Sequence, residues 1–161
     1  MDYIIREIQE TEYHLLNDFL YEAIYIPEGM QRPPRDIIYE PSMQVYVRNF
    51  GKEKSDCGFV AVAKKKVVGA VWARIMNDYG HIDDDTPSLA LAIYDGYRGR
   101  GMGTALMKTV MCKLREMEYS VVSLSVQKSN PALYLYQKLG FEAVETEMGE
   151  NEEEIIMRCM L

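Results

Sequence analysis

With 161 residues, 48% of them apolar, the chain is long enough to bury one core and reads as a single domain over residues 1–161. A formal charge of −7 excludes the basic surface on which non-specific nucleic-acid binding depends, and no run reaches the roughly 18–20 apolar residues of a membrane span. Cys57, Cys112 and Cys159 are odd in number and lack Cys-x-x-Cys spacing, and no apolar signal region opens the sequence, which argues against a disulfide framework or zinc site and for a reducing cytoplasm.

Residues 3–8 have strand character, with β-branched and aromatic side chains. Thr11 reads as the N-cap of a first helix on which Leu15, Leu16, Phe19, Leu20 and Ala23 recur at helical spacing. Pro27, Gly29, Pro33, Pro34 and Pro41 break the next stretch into loop and short pieces, and residues 42–50 read as a second short helix. Residues 58–63 and 67–75 form two strands of a hairpin, with Lys64, Lys65 and Lys66 as its solvated turn. Residues 77–87 are a polar loop holding His81, Asp83, Asp84 and Asp85. No second His accompanies His81 at ligand spacing, so no metal is expected.

Residues 89–93 are an apolar strand, followed by the turn Tyr97-Arg98-Gly99-Arg100-Gly101-Met102-Gly103-Thr104 and a helix from 101 to about 118. Leu106, Val110, Leu114 and Met117 keep a helical beat along it, and Cys112 is a quiet small residue there. Residues 121–126 form a strand, Pro131 opens a short helix at its first position, and Gly140 closes it. Residues 141–146 and 154–161 make a final hairpin. The cluster Glu142, Glu145, Glu147, Glu150, Glu152, Glu153 and Glu154 reads as its solvated tip, so the net charge is weak evidence about substrate, although it would steer a cationic amine. The order describes an α/β unit with a mixed, mostly antiparallel sheet.

Strand, glycine-rich turn and helix together point several backbone N–H groups at one spot, and the helix dipole adds positive potential there. Glycine permits the backbone conformations such a turn needs, Gly101 and Gly103 leave room for a phosphate, and Arg98 and Arg100 supply fixed charge. The turn is not a Walker loop, since no Gly-Lys-Ser/Thr closes it, and it lacks G-x-G-x-x-G spacing. A basic, flexible connection is the plain alternative.

A second stretch, Ser129-Asn130-Pro131-Ala132-Leu133-Tyr134-Leu135-Tyr136-Gln137-Lys138-Leu139-Gly140-Phe141, narrows the reading. Together the two resemble the GNAT superfamily of acyl-CoA-dependent N-acetyltransferases. The family's Q/R-x-x-G-x-G/A signature lies on Arg98, Gly101 and Gly103. Its N-x-A…L-Y-x-K-x-G-F pattern lies on Asn130, Ala132, Leu135, Tyr136, Lys138, Gly140 and Phe141. The resemblance covers residues 57–147 well and the first fifty or so only in general layout.

The resemblance implies a GNAT-like fold in which the fourth and fifth strands run parallel and splay apart. Acetyl-CoA is then the cosubstrate, with no metal. Its pantetheine would lie along backbone groups of Leu91, Ala92 and Ile93, and its pyrophosphate on Arg98, Gly99, Arg100, Gly101, Met102, Gly103 and Thr104, with Asn130 and Tyr136 also touching it. The acceptor would be a primary amine of a small molecule or peptide, bound beside the proline-broken segment after the first helix, and a homodimer is left open. A backbone N–H near Ile93 is the candidate oxyanion donor. Tyr136 is the family's acid, its phenol near pKa 10 donating to a thiolate of comparable basicity. Many members carry a carboxylate at the start of the fourth strand, where this chain has Ser88 and Leu89. Asp83, Asp84, Asp85, Glu22 and Glu40 remain candidate bases, directly or through water, with His81 a lesser one, and proton removal through water alone would need none of them. A non-catalytic acyl-CoA-binding sensor or partner module is the alternative to a transferase.

Overall fold

The structure, a computed structural model, describes residues 2–149 and 152–161. Its strands are β1 (Ile4–Glu7), β2 (Cys57–Ala63), β3 (Lys66–Arg74), β4 (Ser88–Ile93), β5 (Val121–Gln127), β6 (Glu142–Met148) and β7 (Glu153–Met160). Its helices are α1 (Leu15–Glu22), α2 (Pro41–Gln44), α3 (Met102–Glu116) and α4 (Ala132–Lys138). The strands form one sheet in the order β1-β2-β3-β4-β5-β7-β6, antiparallel throughout except for the parallel neighbours β4 and β5.

Alternation along the strands sorts the core into two layers. Val71, Leu89, Val122, Leu124 and Met157 face α3, which contributes Met102, Leu106, Met107, Val110 and Leu114 at helical spacing. Val60, Ala70, Trp72 and Ala92 face the other way, against Leu16, Phe19 and Leu20 of α1 and against Ile38. β3 is buried along nearly its whole length, as its run of small and β-branched residues dictates for a central strand.

The hairpin turn is tighter than expected. Lys66 opens β3, and Lys64 and Lys65 both take positive φ, 50° and 65°. That is the twist a two-residue loop between antiparallel strands demands, adopted here without glycine at a cost of roughly 1–2 kcal/mol per residue. Thr11 is not an N-cap: it lies within a 3-10 turn, Glu10–Glu12, closed by Gln9 and Glu12, and α1 starts at Leu15. The second helix is only Pro41–Gln44, preceded by a 3-10 turn at Arg35–Tyr39, because residues 45–50 are drawn into turns pinned from β3. Pro131 stands one residue before α4 rather than inside it. In the acidic cluster, Glu142, Glu145 and Glu147 are exposed on β6, but Glu152, Glu153 and Glu154 are half-buried; Glu150 lies outside the described residues. Among the described residues, no helix is long and apolar enough to cross a membrane.

Candidate functional site

β4 and β5 share a single register pair, Ser88↔Ser123, where the Ser123 N–H donates to the Pro87 carbonyl at 2.9 Å. Past that point no pairing continues, and a gap opens between the strands. On its other side β4 stays laddered to β3, with the Tyr94 N–H on the Val68 carbonyl at 2.9 Å and the register Ala92↔Ala70 two residues earlier. An antiparallel ladder engages alternate residues, so the backbone of Ala92 is held by β3 while the N–H groups of Leu91 and Ile93 turn toward the gap. The Ile93 carbonyl accepts a hydrogen bond from Arg98 Nε at 2.9 Å.

The gap is apolar on the α3 side. A Cβ placed on Gly103 would meet Leu135 at 3.4 Å, Ile93 at 3.6 Å and Leu91 at 3.9 Å. The space Gly103 leaves therefore borders this channel, not the anion turn as its sequence position suggests. Gly99 and Gly101 behave as expected, with φ of +75° and +85° where an L side chain is strained. Tyr97 N–H is bonded to Tyr94 O and Ala105 N–H to Gly101 O. The N–H groups of Arg98 to Thr104 between them donate to no acceptor among the described residues. Met102 is buried and fixes the turn to the core. Arg100 is exposed, with a long contact of 3.4 Å to Gly96 O, while Arg98 reaches back to Ile93 and toward Asp95 and Glu22. The turn thus has the donors, the exposure and the charge that a diphosphate needs, and the channel behind it suits a slender apolar-amide arm.

Asn130 faces the same end of the sheet, but its Oδ1 accepts the Ala132 N–H at 2.9 Å and so caps α4. Tyr136 is buried in the α3-side core, edge-on to Phe141 at a centroid distance of 6.0 Å. Burial alone pushes its phenol up to about 12. It stays protonated at neutral pH, yet it is a weaker acid than the unperturbed phenol assumed from sequence.

The opposite face of the gap is polar. Ser123, Ser125 and Gln127 alternate out from β5, and Glu154 is the register partner of Gln127 on β7. The loop 77–87 lies over this face, with Ser123 Oγ donating to Gly80 O at 2.7 Å. Gly80 approaches β5 so closely that a Cβ would come within 3.0 Å of the Leu124 backbone. Ser88 Oγ donates to Asp78 Oδ1 at 2.9 Å, and the Tyr46 hydroxyl lies beside both Asp78 and Ser125. Burial raises the Asp78 carboxyl above its usual range, opposed by the Ser88 and Tyr46 hydroxyls. Burial likewise raises Glu154, opposed by its bond to Gln127. His81 Nδ1 and Gln127 Oε1 are buried without partners among the described residues.

The bases suggested by sequence do not gather here. Asp83, Asp84 and Asp85 are exposed, and Asp83 is spent within its own loop on the Thr86 hydroxyl and Asp85 N–H. Glu40 is exposed, and Glu22 pairs with Arg32 at 3.4 Å and Arg98 at 4.0 Å. One carboxylate does lie against the start of β4, that of Asp78, which the loop brings onto the Ser88 hydroxyl. Sequence reasoning missed it because nothing local to Asn77-Asp78-Tyr79-Gly80 signals a partner ten residues on. Beyond α1, Tyr25 crosses to the far wall, its hydroxyl donating to Ser129 O at 3.1 Å, while Glu152 accepts from the Ser129 N–H at 2.8 Å and hydroxyl at 2.7 Å.

The profile of the acetyltransferase (GNAT) family matches residues 17–141, which span the sheet's gap, the anion turn and α4. The chain belongs to the acetyltransferase (GNAT) family. Its fold agrees with solved acetyltransferases of low sequence identity. The ribosomal-protein-S18-alanine N-acetyltransferase of Escherichia coli superposes with a TM-score of 0.69 at 16% identity, over 99% of this chain and 94% of that one. The PaiA N-acetyltransferase of Thermoplasma acidophilum, solved with coenzyme A, gives 0.70 at 16% identity over the full length of both. By sequence, this GNAT chain is 32% identical to human N-acetyltransferase 8B over 108 residues, 66% of this chain and 48% of that protein. It is 35% identical to an N-alpha-acetyltransferase of Sulfurisphaera tokodaii over 102 residues, 58% of this chain and 60% of that protein. The chain thus spans about a quarter to three fifths of the length of the curated relatives it matches.

Proposed function

We propose that residues 1–161 act as one N-acetyltransferase unit that moves an acetyl group from acetyl-CoA to a primary amine of a small molecule or peptide, both bound at once. The observation that carries this reading is the open gap between β4 and β5, with unpaired N–H groups of Leu91 and Ile93 on one wall and the donor-rich turn at Arg98–Thr104 above it. Acetyl-CoA supplies the activated thioester. Arg98 to Thr104 would hold its diphosphate through N–H groups, and Leu91, Ile93 and Leu135 would line its pantetheine. An N–H of Leu91 or Ile93 would donate to the carbonyl oxygen as it gains charge, a fixed amide that needs no reorganisation. Tyr136 would donate to the departing sulfur.

The acceptor would approach from the face carrying Asp78, Ser125 and Glu154, under the bridge made by Tyr25 and Ser129. Peptide acceptors gain support from relatives described as N-alpha-acetyltransferase and as ribosomal protein bS18-alanine N-acetyltransferase. Free Cys57, Cys112 and Cys159 fit a reducing compartment such as the cytoplasm. Thiol release from acetyl-CoA, followed against a panel of alkylamines, polyamines, amino acids and peptide N-termini, tests the reading. Amine-dependent release supports it, and saturable acetyl-CoA binding with no release to any amine would instead favour a sensor module.

A further inference from the structure

We propose that Asp78 is the carboxylate that holds the acceptor's ammonium and takes its proton, a reading that rests on the amine transfer proposed above. The argument is first one of position. The gap closes at Ser88↔Ser123, and the Ser88 hydroxyl binds the Asp78 carboxylate at 2.9 Å, so the carboxylate sits at the closed end. Leu91, three residues along β4, carries the first N–H beyond that end to face the gap. At about 3.3 Å per residue, the two points lie roughly 10 Å apart along the strand, a span that an acyl carbonyl and one attacking amine fill.

The second argument is the support built around the group. Tyr46, whose hydroxyl lies beside Asp78 and Ser125, has its own carbonyl held by Trp72 Nε1 at 2.9 Å. Arg74 fixes the neighbouring carbonyls of Val45 and Arg48 at 3.2 Å and 2.8 Å, and is itself locked by a bidentate pair with Asp56 at 2.9 Å. A buried chain of hydrogen bonds from β3 therefore orients one phenol over one carboxylate, the arrangement a working group needs and a solvated acid does not.

The third argument is charge. The groups bonded to Asp78 are the hydroxyls of Ser88 from β4 and of Tyr46 from the segment after α2, with its own N–H and that of Gly80, while Ser125 from β5 meets the Tyr46 hydroxyl; among the described residues no cation contributes to its environment. Nearby, Glu154 on β7 is bonded to Gln127, and His81 in the same loop faces the exposed Asp84 at 3.5 Å. A largely desolvated carboxylate without a counter-charge costs stability, and an incoming ammonium is the charge it lacks.

In the reaction an N–H bond of the ammonium breaks and its proton passes to an Asp78 oxygen, later to water. The freed lone pair forms the C–N bond and the C–S bond breaks. The sulfur ends with one proton, balanced by the second that nitrogen sheds on becoming an amide.

The test uses the full chain with two probes, an N-acetylated lysine peptide (amine pKa about 10.4) and an unblocked alanine peptide (about 7.7–8.0). Asp78→Asn should lower kcat/KM at pH 7 by about 10²–10⁴ with the acetyl-CoA Kd unchanged. The deficit should shrink about tenfold per pH unit up to the amine's own pKa, where solution supplies the free base. Asp78→Glu should recover part of the rate, and Glu142→Gln, at an exposed carboxylate on β6, should stay within a few fold of wild type. Should Asp78→Asn not fold, Ser88→Ala decides, because losing that hydroxyl should move the acid limb of the kcat profile to higher pH. A D78N rate within threefold of wild type, a loss that does not recover with pH, or an unmoved acid limb in Ser88→Ala would overturn the assignment while leaving amine transfer standing. No transfer by the wild-type chain to any amine would overturn both.

Discussion

Tyr136→Phe removes one oxygen from a side chain only 7% exposed and keeps the ring against Phe141. Burial is the sole cause of the raised phenol, so neither an ion pair nor a protein hydrogen bond is lost with the hydroxyl. The melting temperature should stay within about 3 °C, the effect of roughly 1 kcal/mol in a domain of this size. The kinetic cost follows from the acidity. A free thiol ionises near 8.5, so complete transfer from a phenol at about 12 is uphill by roughly 3.5 units, about 5 kcal/mol. The burial that raises the phenol also raises a thiolate beside it, as it raises the Cys57 thiol to about 12, and this narrows the mismatch. The expected loss in kcat is therefore about 10²-fold. That value joins the low end of general-acid contributions, about 10²–10⁴, to the high end of a charge-assisted hydrogen bond, about 1.5–3 kcal/mol. Stopped-time thiol release gives kcat, calorimetry gives the acetyl-CoA Kd, and a thermal melt reads stability on the same preparation. Near-normal kcat in a folded variant would remove Tyr136 from the chemistry, and a fall in melting temperature beside normal turnover would make it a packing residue only.

At Gly101 an added Cβ meets only the Tyr3 hydroxyl, at 3.7 Å, so Gly101→Ala is penalised by its φ of +85°. The strain of about 1–2 kcal/mol should lower the melting temperature by about 2–8 °C and, by tilting the turn's N–H groups, weaken acetyl-CoA about tenfold in calorimetry. An unchanged Kd would remove the turn from the binding site. Arg74→Met leaves Asp56 charged and buried without its partner, the two side chains being only 6% and 1% exposed in the pair. A loss of about 3–5 kcal/mol is expected in urea unfolding, and less than about 1 kcal/mol would refute it. Asp78 is held above the usual carboxylate range, so the folded chain binds its proton more tightly than the unfolded chain does. That contribution is full below the unfolded value of about 3.9 and is lost as pH rises through the folded value. Asp78→Asn should accordingly melt higher than wild type at pH 7, with the advantage gone by about pH 3; an equal melting temperature at both would refute the sign.

The parts of this protein that could be read from its sequence are those where a local rule has no competitor. Continuous apolar runs marked the inner strands, the beat of Leu106, Val110 and Leu114 marked α3, and Gly99 and Gly101 stood where positive φ was needed. The anion turn is contiguous, so its chemistry is written in consecutive letters. Elsewhere tertiary contacts decided. Residues 45–50 failed to continue as a helix because Trp72 and Arg74 take their carbonyls. Gly103 faces an apolar channel only because α4 returns Leu135 against it. The splay of β4 from β5 is a matter of strand order, which no single strand encodes, and it ends in one register pair. Asp78 was invisible for the same reason. A carboxylate acquires its environment from whatever the fold brings against it, here Ser88 from β4 and Tyr46 from a segment about thirty residues upstream. Sequence sets the backbone conformations and the apolar faces, because those depend on neighbours in the chain. Desolvation and charge at a site depend on neighbours in space, and only the tertiary structure supplies them.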